Sequence, residues 1–311
     1  ISMPGIFQTG GSSSLSLLYP QDSLEFDKVA MVQERVAIDI YRGYAVVKGE
    51  YIMENKTADT VQINMGYPKY SFYEGANIDG SFSMLYDSLN ALNVEIDGVQ
   101  QDLIMVTEGD LAYQRENWYT WEATFMPFEN STVEVVFIMA TDMAMVSEGY
   151  AKKQINGVAY VLETGRIWRD SIKTGDIIVC LKDDIDFSDI HGISPSEVFN
   201  INLSEKLLWY KFEGLEPSRD NNLIIALKDF DRKLDFPLSE ERRKFLLQGV
   251  ENTFQTNLKA IQWEERTFPN PYNLPTPSIG WVFLAIVVLL VLGGLVIIFI
   301  LGKKLYRNFR K

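Results

Sequence analysis

The chain has 311 residues, enough for one large domain or two smaller ones, and its 47% hydrophobic and 23% charged residues are typical of a folded protein. Asp and Glu number 42 against 29 Lys and Arg, a net charge of −13, which argues against nucleic-acid binding through phosphate contacts. With one cysteine, Cys180, and one histidine, His191, the sequence excludes an internal disulfide and a zinc site built from Cys and His alone.

The N-terminal residues 1–27 include a Gly- and Ser-rich stretch at 10–14 and show no hydrophobic period. This composition is typical of a segment without a core of its own. We therefore expect residues 1–27 to form an extended arm that gains order only by packing on something else.

Residues 28–236 alternate between apolar and polar side chains in short stretches, as in Val36–Ile40 and Val133–Met139. A period of two predicts β-strands, and no βαβ pattern interrupts them. Asp97-Gly98 is a typical hairpin turn because Gly tolerates the positive φ of a type I′ turn. The body is predicted to be an all-β ectodomain, an antiparallel β-sandwich.

Two segments of this body stand apart from the alternation. Residues 69–93 look like a long insertion, and we expect a short helix near 83–92 within it. Residues 143–152 are a candidate boundary between two lobes of the sandwich.

Residues 237–268 are predicted to form a helical stalk. Ser239 is a favourable N-cap, and Glu240 and Glu241 suit the first turn of a helix. Apolar residues then recur every three or four positions up to a predicted end near Trp263; they are Leu246, Val250, Phe254, Leu258 and Ile261. The four prolines in 269–278 predict a stiff spacer after the stalk.

Residues 279–302 contain no charged side chain. As a helix they would be about 36 Å long, enough to cross a hydrocarbon core of about 30 Å. The tail 303–311 has five basic residues and no acidic one, so the positive-inside rule places it in the cytoplasm and residues 1–278 outside. The predicted anchor residues are Trp281, Lys303, Lys304, Arg307 and Arg310.

Several turn- and aromatic-rich segments carry a resemblance to known sequences: Met31–Val36, Gly43–Tyr51, Met65–Pro68, Trp118–Trp121 and Tyr160–Trp168. Together they resemble a loose group of bacterial envelope proteins of no settled function, with a β-sandwich ectodomain and one C-terminal transmembrane helix. The resemblance covers about residues 28–230. It implies the same fold and supplies no catalytic residue.

Asp183, Asp184, Asp186 and Asp189 are the candidate metal ligands of the sequence, because closely spaced carboxylates suit calcium. Their spacing matches no known calcium-binding loop, and no bidentate Glu follows at the EF-hand position. The alternative is a solvated charged turn.

Signals for catalysis are sparse. The motifs of serine hydrolases, zinc peptidases, phosphate loops and dinucleotide-binding proteins do not occur. A Ser-His-Asp triad would have to use His191, which lies in a loop-like stretch. Cys180 alternates with strand residues and is expected to be a small buried side chain. We expect no enzymatic activity and no cofactor.

Trp118 and Trp121 lie on opposite faces of one predicted strand, so one of them is a candidate partner contact, with core packing as the alternative. The predicted function is that of a non-enzymatic, single-pass membrane protein, an accessory or structural subunit of a larger membrane complex in the bacterial periplasm or at the cell surface. Its partners would be membrane lipid and other envelope or integral membrane proteins, and not nucleic acid. The alternatives are an envelope hydrolase that acts on glycans or peptides through carboxylates, and a ligand-binding or adhesive module.

Overall fold

A computed structural model of the chain describes residues 23–69, 71–78, 80–86, 89–107, 117–230 and 238–274. Most of these residues lie in β-strands, which confirms the prediction of a β-rich molecule. The chain divides into two compact units, 1–273 and 274–311, and Leu274 is the one described residue of the second.

The strands are numbered along the chain: β1 (Val29–Tyr41), β2 (Tyr44–Asn55), β3 (Val61–Pro68), β4 (Ser71–Ala76), β5 (Ser81–Tyr86), β6 (Leu89–Ile96), β7 (Val99–Gln100), β8 (Ile104–Thr107), β9 (Asn117–Phe125), β10 (Asn130–Ala140), β11 (Ala144–Glu148), β12 (Ala151–Tyr160), β13 (Ile172–Leu181), β14 (Ile190–Ser194), β15 (Phe199–Asn202), β16 (Leu207–Leu215), β17 (Leu223–Leu227) and β18 (Glu264–Arg266). The helices are α1 (Ser23–Phe26) and α2 (Glu240–Phe254). Short 3-10 turns cover Leu162–Ile167, Phe187–Asp189, Arg219–Asn221 and Leu258–Ala260.

The described strands form three sheets. The large sheet has nine strands in the order β18-β15-β16-β13-β1-β2-β10-β6-β7, the second has six in the order β14-β17-β12-β11-β5-β4, and the third is β3-β9-β8. At the centre of the large sheet β1 runs parallel to β13, with Gln33 beside Thr174 and Ile40 beside Leu181. The large sheet is therefore mixed, and the prediction of a purely antiparallel sandwich is wrong.

Both faces of the large sheet are covered. Along β1, Val36 and Ile38 point to one face and Ala37 and Tyr41 to the other, and all four are buried. The face that carries Val36 packs against the smaller sheets, and the ring of Tyr67 in β3 lies 5.6 Å from that of Phe137 in β10. The opposite face packs against α2.

Helix α2 begins as predicted, since the Ser239 hydroxyl accepts a hydrogen bond from the Arg242 amide at 3.2 Å. Its apolar stripe is buried against the large sheet; the cluster contains Ala37, Tyr41, Tyr44, Val46, Ile138, Leu246, Val250 and Phe254. The predicted stalk is therefore wrong, because a stripe of this kind is more stable against a sheet than in water. The helix ends at Phe254 rather than near Trp263, and Leu258 and Ile261 pack separately against Cys180 and Leu207.

Polar contacts also hold α2 to the sheet. Lys48 Nζ lies 2.6 Å from a Glu251 carboxylate oxygen and 3.0 Å from one of Glu134. The Arg35 guanidinium donates to the carbonyl of Phe254 at 2.8 Å. A cation at this end of a helix is favourable because the last carbonyl groups have no partner within the helix.

Three further segments differ from their predictions. Residues 143–152 form most of a hairpin within the six-stranded sheet, where Ala144 pairs with Ile155, so they do not separate two lobes. The predicted helix near 83–92 is wrong, since this region contains β5 and β6. Residues 269–273 do not project as a spacer, because the carbonyl of Pro269 accepts a hydrogen bond from the Ile193 amide at 2.9 Å.

None of the helices in the described ranges is long and apolar enough to span a bilayer. The predicted fold class is wrong for the part of the chain that the structure describes, because the stalk helix is docked on the sheet, the large sheet is mixed, and none of the described helices could be a transmembrane helix. The predicted span 279–302 lies outside the described residues, and so do residues 1–22 of the predicted arm. The predicted anchor residues also lie outside them; these are Trp281, Lys303, Lys304, Arg307 and Arg310.

Candidate functional site

The four candidate calcium ligands do not converge. The Asp184 carboxylate pairs with the Arg42 guanidinium, with Nε 2.6 Å from Oδ1. Asp186 accepts from the Ser188 amide at 2.6 Å, and Asp189 accepts from the Asp186 amide at 3.0 Å. Asp183 lies in the turn between these groups, at φ 54°. Within the described ranges, no group of three or more His, Cys, Asp or Glu side chains is arranged to hold a metal ion.

Trp118 and Trp121 do not form a partner surface. Both lie in β9, and each is only 2% exposed. Strand alternation does send them to opposite faces, as expected, but both faces are covered at these positions. The ring of Trp121 stacks near that of Tyr67, with centroids 6.1 Å apart, so the core-packing alternative describes it better.

A buried carboxyl group lies between the large sheet and the second one. Glu34 in β1 is fully inaccessible to solvent, and Tyr160 in β12 donates a hydrogen bond to its Oε1 at 2.5 Å. The hydroxyl groups of Tyr160 and Tyr51 are 2.9 Å apart. Tyr67 lies beside Tyr51, so one carboxyl and three phenols meet in the interior. We call Glu34, Tyr51, Tyr67 and Tyr160 the carboxyl cluster.

Two glycines make room for the rings around this cluster. In the large sheet Glu34 is flanked by Tyr51 on one side and Gly175 on the other. A Cβ on Gly175 would lie 2.0 Å from the Phe212 ring, and a Cβ on Gly49 would lie 2.4 Å from the Tyr51 hydroxyl. The absence of side chains at these two positions lets aromatic rings close over the sheet next to Glu34.

Burial raises the pKa of the Glu34 carboxyl from its ordinary value of 4.5 to about 8, and the hydrogen bond from Tyr160 opposes only part of that rise. Burial likewise raises the pKa of Tyr51 and of Tyr160, so both phenols stay protonated. At neutral pH the carboxyl cluster is uncharged, because a buried carboxylate without a cation is unfavourable. It can bind and release a proton, but it is closed to a substrate.

A second buried carboxyl, Asp39, has a different environment. Its Oδ2 lies 3.1 Å from Lys182 Nζ, and the Thr253 hydroxyl donates to its Oδ1 at 2.7 Å. Burial raises the pKa of Asp39, and Lys182 opposes that rise. Cys180 is nearby and buried, as expected, and burial raises the pKa of its thiol, which is typical of an unreactive cysteine.

The six-stranded sheet carries a group of exposed apolar side chains on one of its faces. Phe72 in β4 is directly opposite Leu85 in β5, and the Leu85 amide donates to the carbonyl of Met143 at 3.0 Å. Met145 follows two residues later on the same face. The four side chains are 40%, 41%, 42% and 38% exposed in that order. We call Phe72, Leu85, Met143 and Met145 the apolar face.

The residues between them point inward. Tyr73, Met84, Ala144 and Val146 are all buried, so the face is the regular outer side of a well-packed sheet. Neighbouring strands lie about 4.8 Å apart, which makes the row from Phe72 to Met143 about 10 Å wide. Exposed apolar residues are common singly, whereas a contiguous group marks an interaction surface.

The sequence contains a signal for each of these features, although neither feature was predicted from it. Ser81, Phe82, Ser83 and Met84 alternate with a period of two, which indicates a strand rather than an insertion with a helix. Glu34 occupies the same register as Val36, Ile38 and Ile40, so it is a charged residue on a buried face.

No family model matches the chain, and no curated protein matches it. Among solved structures, a Legionella pneumophila protein described as a candidate nutrient binding protein is 15% identical, with a TM-score of 0.46, over 89% of this chain and 91% of its own. An M1 zinc metallopeptidase from Deinococcus radiodurans is 9% identical, with a TM-score of 0.33, over 64% of this chain and 42% of its own. Leukotriene A4 hydrolase from Saccharomyces cerevisiae is 12% identical, with a TM-score of 0.34, over 69% of this chain and 31% of its own. This chain spans less than half of either enzyme, and likenesses at these scores carry no argument about its function.

Proposed function

We propose that this protein is a non-enzymatic binding module that docks onto another protein through the apolar face. The observation that carries the proposal is the exposure of Phe72, Leu85, Met143 and Met145 side by side on a regular sheet. Covering apolar surface contributes roughly 25 cal/mol per Å². The strands beneath are already ordered, so docking would cost little conformational entropy.

The two methionines suit such a surface. Met is unbranched and polarizable, and it adapts to partners of different shape. Phe72 adds a large flat side chain, the kind that is enriched at the centres of protein interfaces. In this proposal the protein is an accessory or structural subunit of a larger complex, and its role depends on contact rather than on chemistry.

The test is a photo-crosslinking side chain placed at Leu85, with the same side chain at Val99 as the matched control. Val99 is 64% exposed in the β6–β7 hairpin and lies outside the apolar face. When the crosslinking is done in the cells that naturally produce the protein, we expect one defined crosslinked product from the Leu85 position and none from the Val99 position.

A substitution pair completes the experiment. Leu85→Asp should abolish co-purification of the crosslinked partner, whereas Val99→Asp should leave it unchanged, and both variants should unfold at the wild-type denaturant midpoint. Crosslinking of equal intensity from both positions, or a partner retained by Leu85→Asp, would contradict the proposal.

A further inference from the structure

The carboxyl cluster connects two separate sheets through one proton-carrying group. Glu34 belongs to the central strand β1 of the large sheet, and its hydrogen-bond partner Tyr160 belongs to β12 of the six-stranded sheet. Tyr51 of β2 contacts the Tyr160 hydroxyl from the same side as Glu34. The Glu34 carboxyl therefore joins the two sheets at this point through its hydrogen bond with Tyr160.

No positively charged side chain among the described residues contributes to the surroundings of Glu34. The titratable groups that face it are Tyr160 from β12, Tyr51 from β2, Tyr67 from β3 and Tyr210 from β16, all of them phenols. Burial and the Tyr160 hydrogen bond account for its pKa, without a contribution from a described Lys, Arg or His. Its Oε2 has no hydrogen-bond partner among the described residues. A negative charge here would lie in a nonpolar interior with only hydroxyl groups to stabilise it.

Asp39, on the same strand, is a buried carboxylate that does have a positively charged partner, and it provides the comparison for Glu34. There, a lysine Nζ lies 3.1 Å away and a threonine hydroxyl donates to the second oxygen. Glu34 lacks the first of these partners within the described residues, so the neutral acid is the form that fits its site.

We propose that Glu34 is a proton-operated latch: its neutral acid fits the closed interior between the two sheets, and its deprotonation places an uncompensated charge there, which loosens β12 from the large sheet. The transition would fall near pH 8, about one pH unit above neutrality. This inference is independent of the proposed docking function, because it rests on the interior and not on the apolar face.

The sign of the effect follows from linkage. The folded protein holds the Glu34 proton up to about pH 8, whereas the unfolded chain releases it near pH 4.5. The contribution of Glu34 to the free energy of unfolding is therefore fully present below pH 4.5. It decreases as the pH rises from 4.5 to about 8, and it is lost above about pH 8. Between them, this group alone would raise the unfolding equilibrium constant by up to about tenfold per pH unit.

The experiment compares the wild-type chain with Glu34→Gln, which keeps the shape of the neutral acid and cannot ionise. In urea unfolding from pH 5 to 9.5, the free energy of unfolding of the variant should increase relative to that of the wild type as the pH rises. This difference should become constant above about pH 8. Glu122→Gln, on the exposed side of β9, is the matched control and should run parallel to the wild type at every pH. A constant difference between Glu34→Gln and the wild type would overturn the proposal.

A second readout tests the latch itself. Amide hydrogen exchange in β12 should become faster in the wild type relative to Glu34→Gln as the pH rises, so the difference between the two should be larger at pH 9 than at pH 6. Equal protection of β12 at both pH values would overturn the loosening.

A third measurement keeps the idea testable if Glu34→Gln does not fold. The infrared band of a protonated carboxylic acid should then be followed in the wild-type protein. We expect this band at pH 7 and its loss as the pH rises through about 8. Absence of the protonated-acid band at pH 7 would show that the latch does not exist, whereas the ionised carboxylate band is expected in any case from the other acidic residues. Tyr160→Phe should raise the pH of the transition, because the Tyr160 hydrogen bond lowers the pKa of Glu34.

Discussion

Two carboxyl groups of β1, five residues apart, show how a single side chain decides what a buried acid does. Glu34 and Asp39 are both closed to solvent and point to opposite faces of the large sheet. Asp39 faces α2 and has a lysine beside it, so it serves as a structural ion pair. Glu34 faces the second sheet, where the described titratable groups around it are phenols, and this environment favours its protonated form.

Lys182→Met should destabilise the protein by about 3–5 kcal/mol at pH 7, because it leaves Asp39 buried without its cation. The loss should shrink at low pH, where Asp39 takes up a proton in the variant. Urea unfolding at pH 7 and at pH 4 measures both effects.

The matched control is Lys228→Met. Lys228 pairs with Asp189 at 3.0 Å but is 55% exposed, so its removal should cost about 0–1 kcal/mol. Equal losses from the two lysine variants would show that the Asp39 pair contributes no more than a surface ion pair.

At the scale of single elements, α2 is the clearest case of a segment whose role depends on its packing. Its apolar stripe was predictable, but a stripe can serve a free stalk in a complex or a helix docked on its own domain. The structure shows the docked form, with Leu246 fully buried and Phe245, the next residue along the chain, 62% exposed.

Leu246→Ala should therefore lower the free energy of unfolding of the whole β-domain by about 2–5 kcal/mol, because it opens a cavity between α2 and the sheet. Phe245→Ala, one position away on the exposed side, should change it by less than about 0.5 kcal/mol. Denaturant unfolding followed by circular dichroism compares them. If α2 were a free stalk, both substitutions would leave the β-domain unchanged.

Local signals in the sequence predicted local structure well. The Asp97-Gly98 turn joins β6 to β7, with φ values of 50° and 75°, and Ser239 caps α2. Both features depend on backbone geometry within four residues. The strand alternation of Val36–Ile40 and Val133–Met139 also corresponds to β1 and β10.

The strand order, the burial of the tryptophans and the apolar face could not be predicted, because they depend on which faces of the sheets and helices pack together. The pairing of β1 with β13 joins strands that are far apart in the sequence, and no turn signal fixes it. Trp118 and Trp121 alternate as predicted, but alternation does not show that both sides of β9 are covered. The apolar face is recognisable only when the inward side of β4 and β5 is known. The envelope location and the resemblance to envelope proteins stay predictions.

At the scale of the whole molecule, the described residues up to 273 form one compact unit and do not divide into two lobes. The hairpin of β11 and β12 crosses the predicted boundary, and the carboxyl cluster ties β12 to the large sheet. Buried side chains on both sides of that boundary, such as Phe82 and Leu208, belong to the same compact unit.

The described domain should consequently unfold in a single transition. Tryptophan fluorescence and far-UV circular dichroism should give the same urea midpoint. Phe82→Ala and Leu208→Ala should each move both signals together, by about 2–5 kcal/mol. Two separated transitions, or a variant that moves only one signal, would favour independent lobes.

The parallel pair at the centre of the large sheet also bears on how quickly this chain reaches its native state. Antiparallel neighbours β1 and β2 are joined by a two-residue turn and can pair early. The partner on the other side, β13, pairs in parallel with β1 although β2 to β12 lie between them in the sequence. Contacts of such long range lose much chain entropy before they gain any stability, so folding is slow for a domain of this size. During that time the β1 edge is open to other chains, which makes the nascent protein most vulnerable to aggregation just before β13 docks.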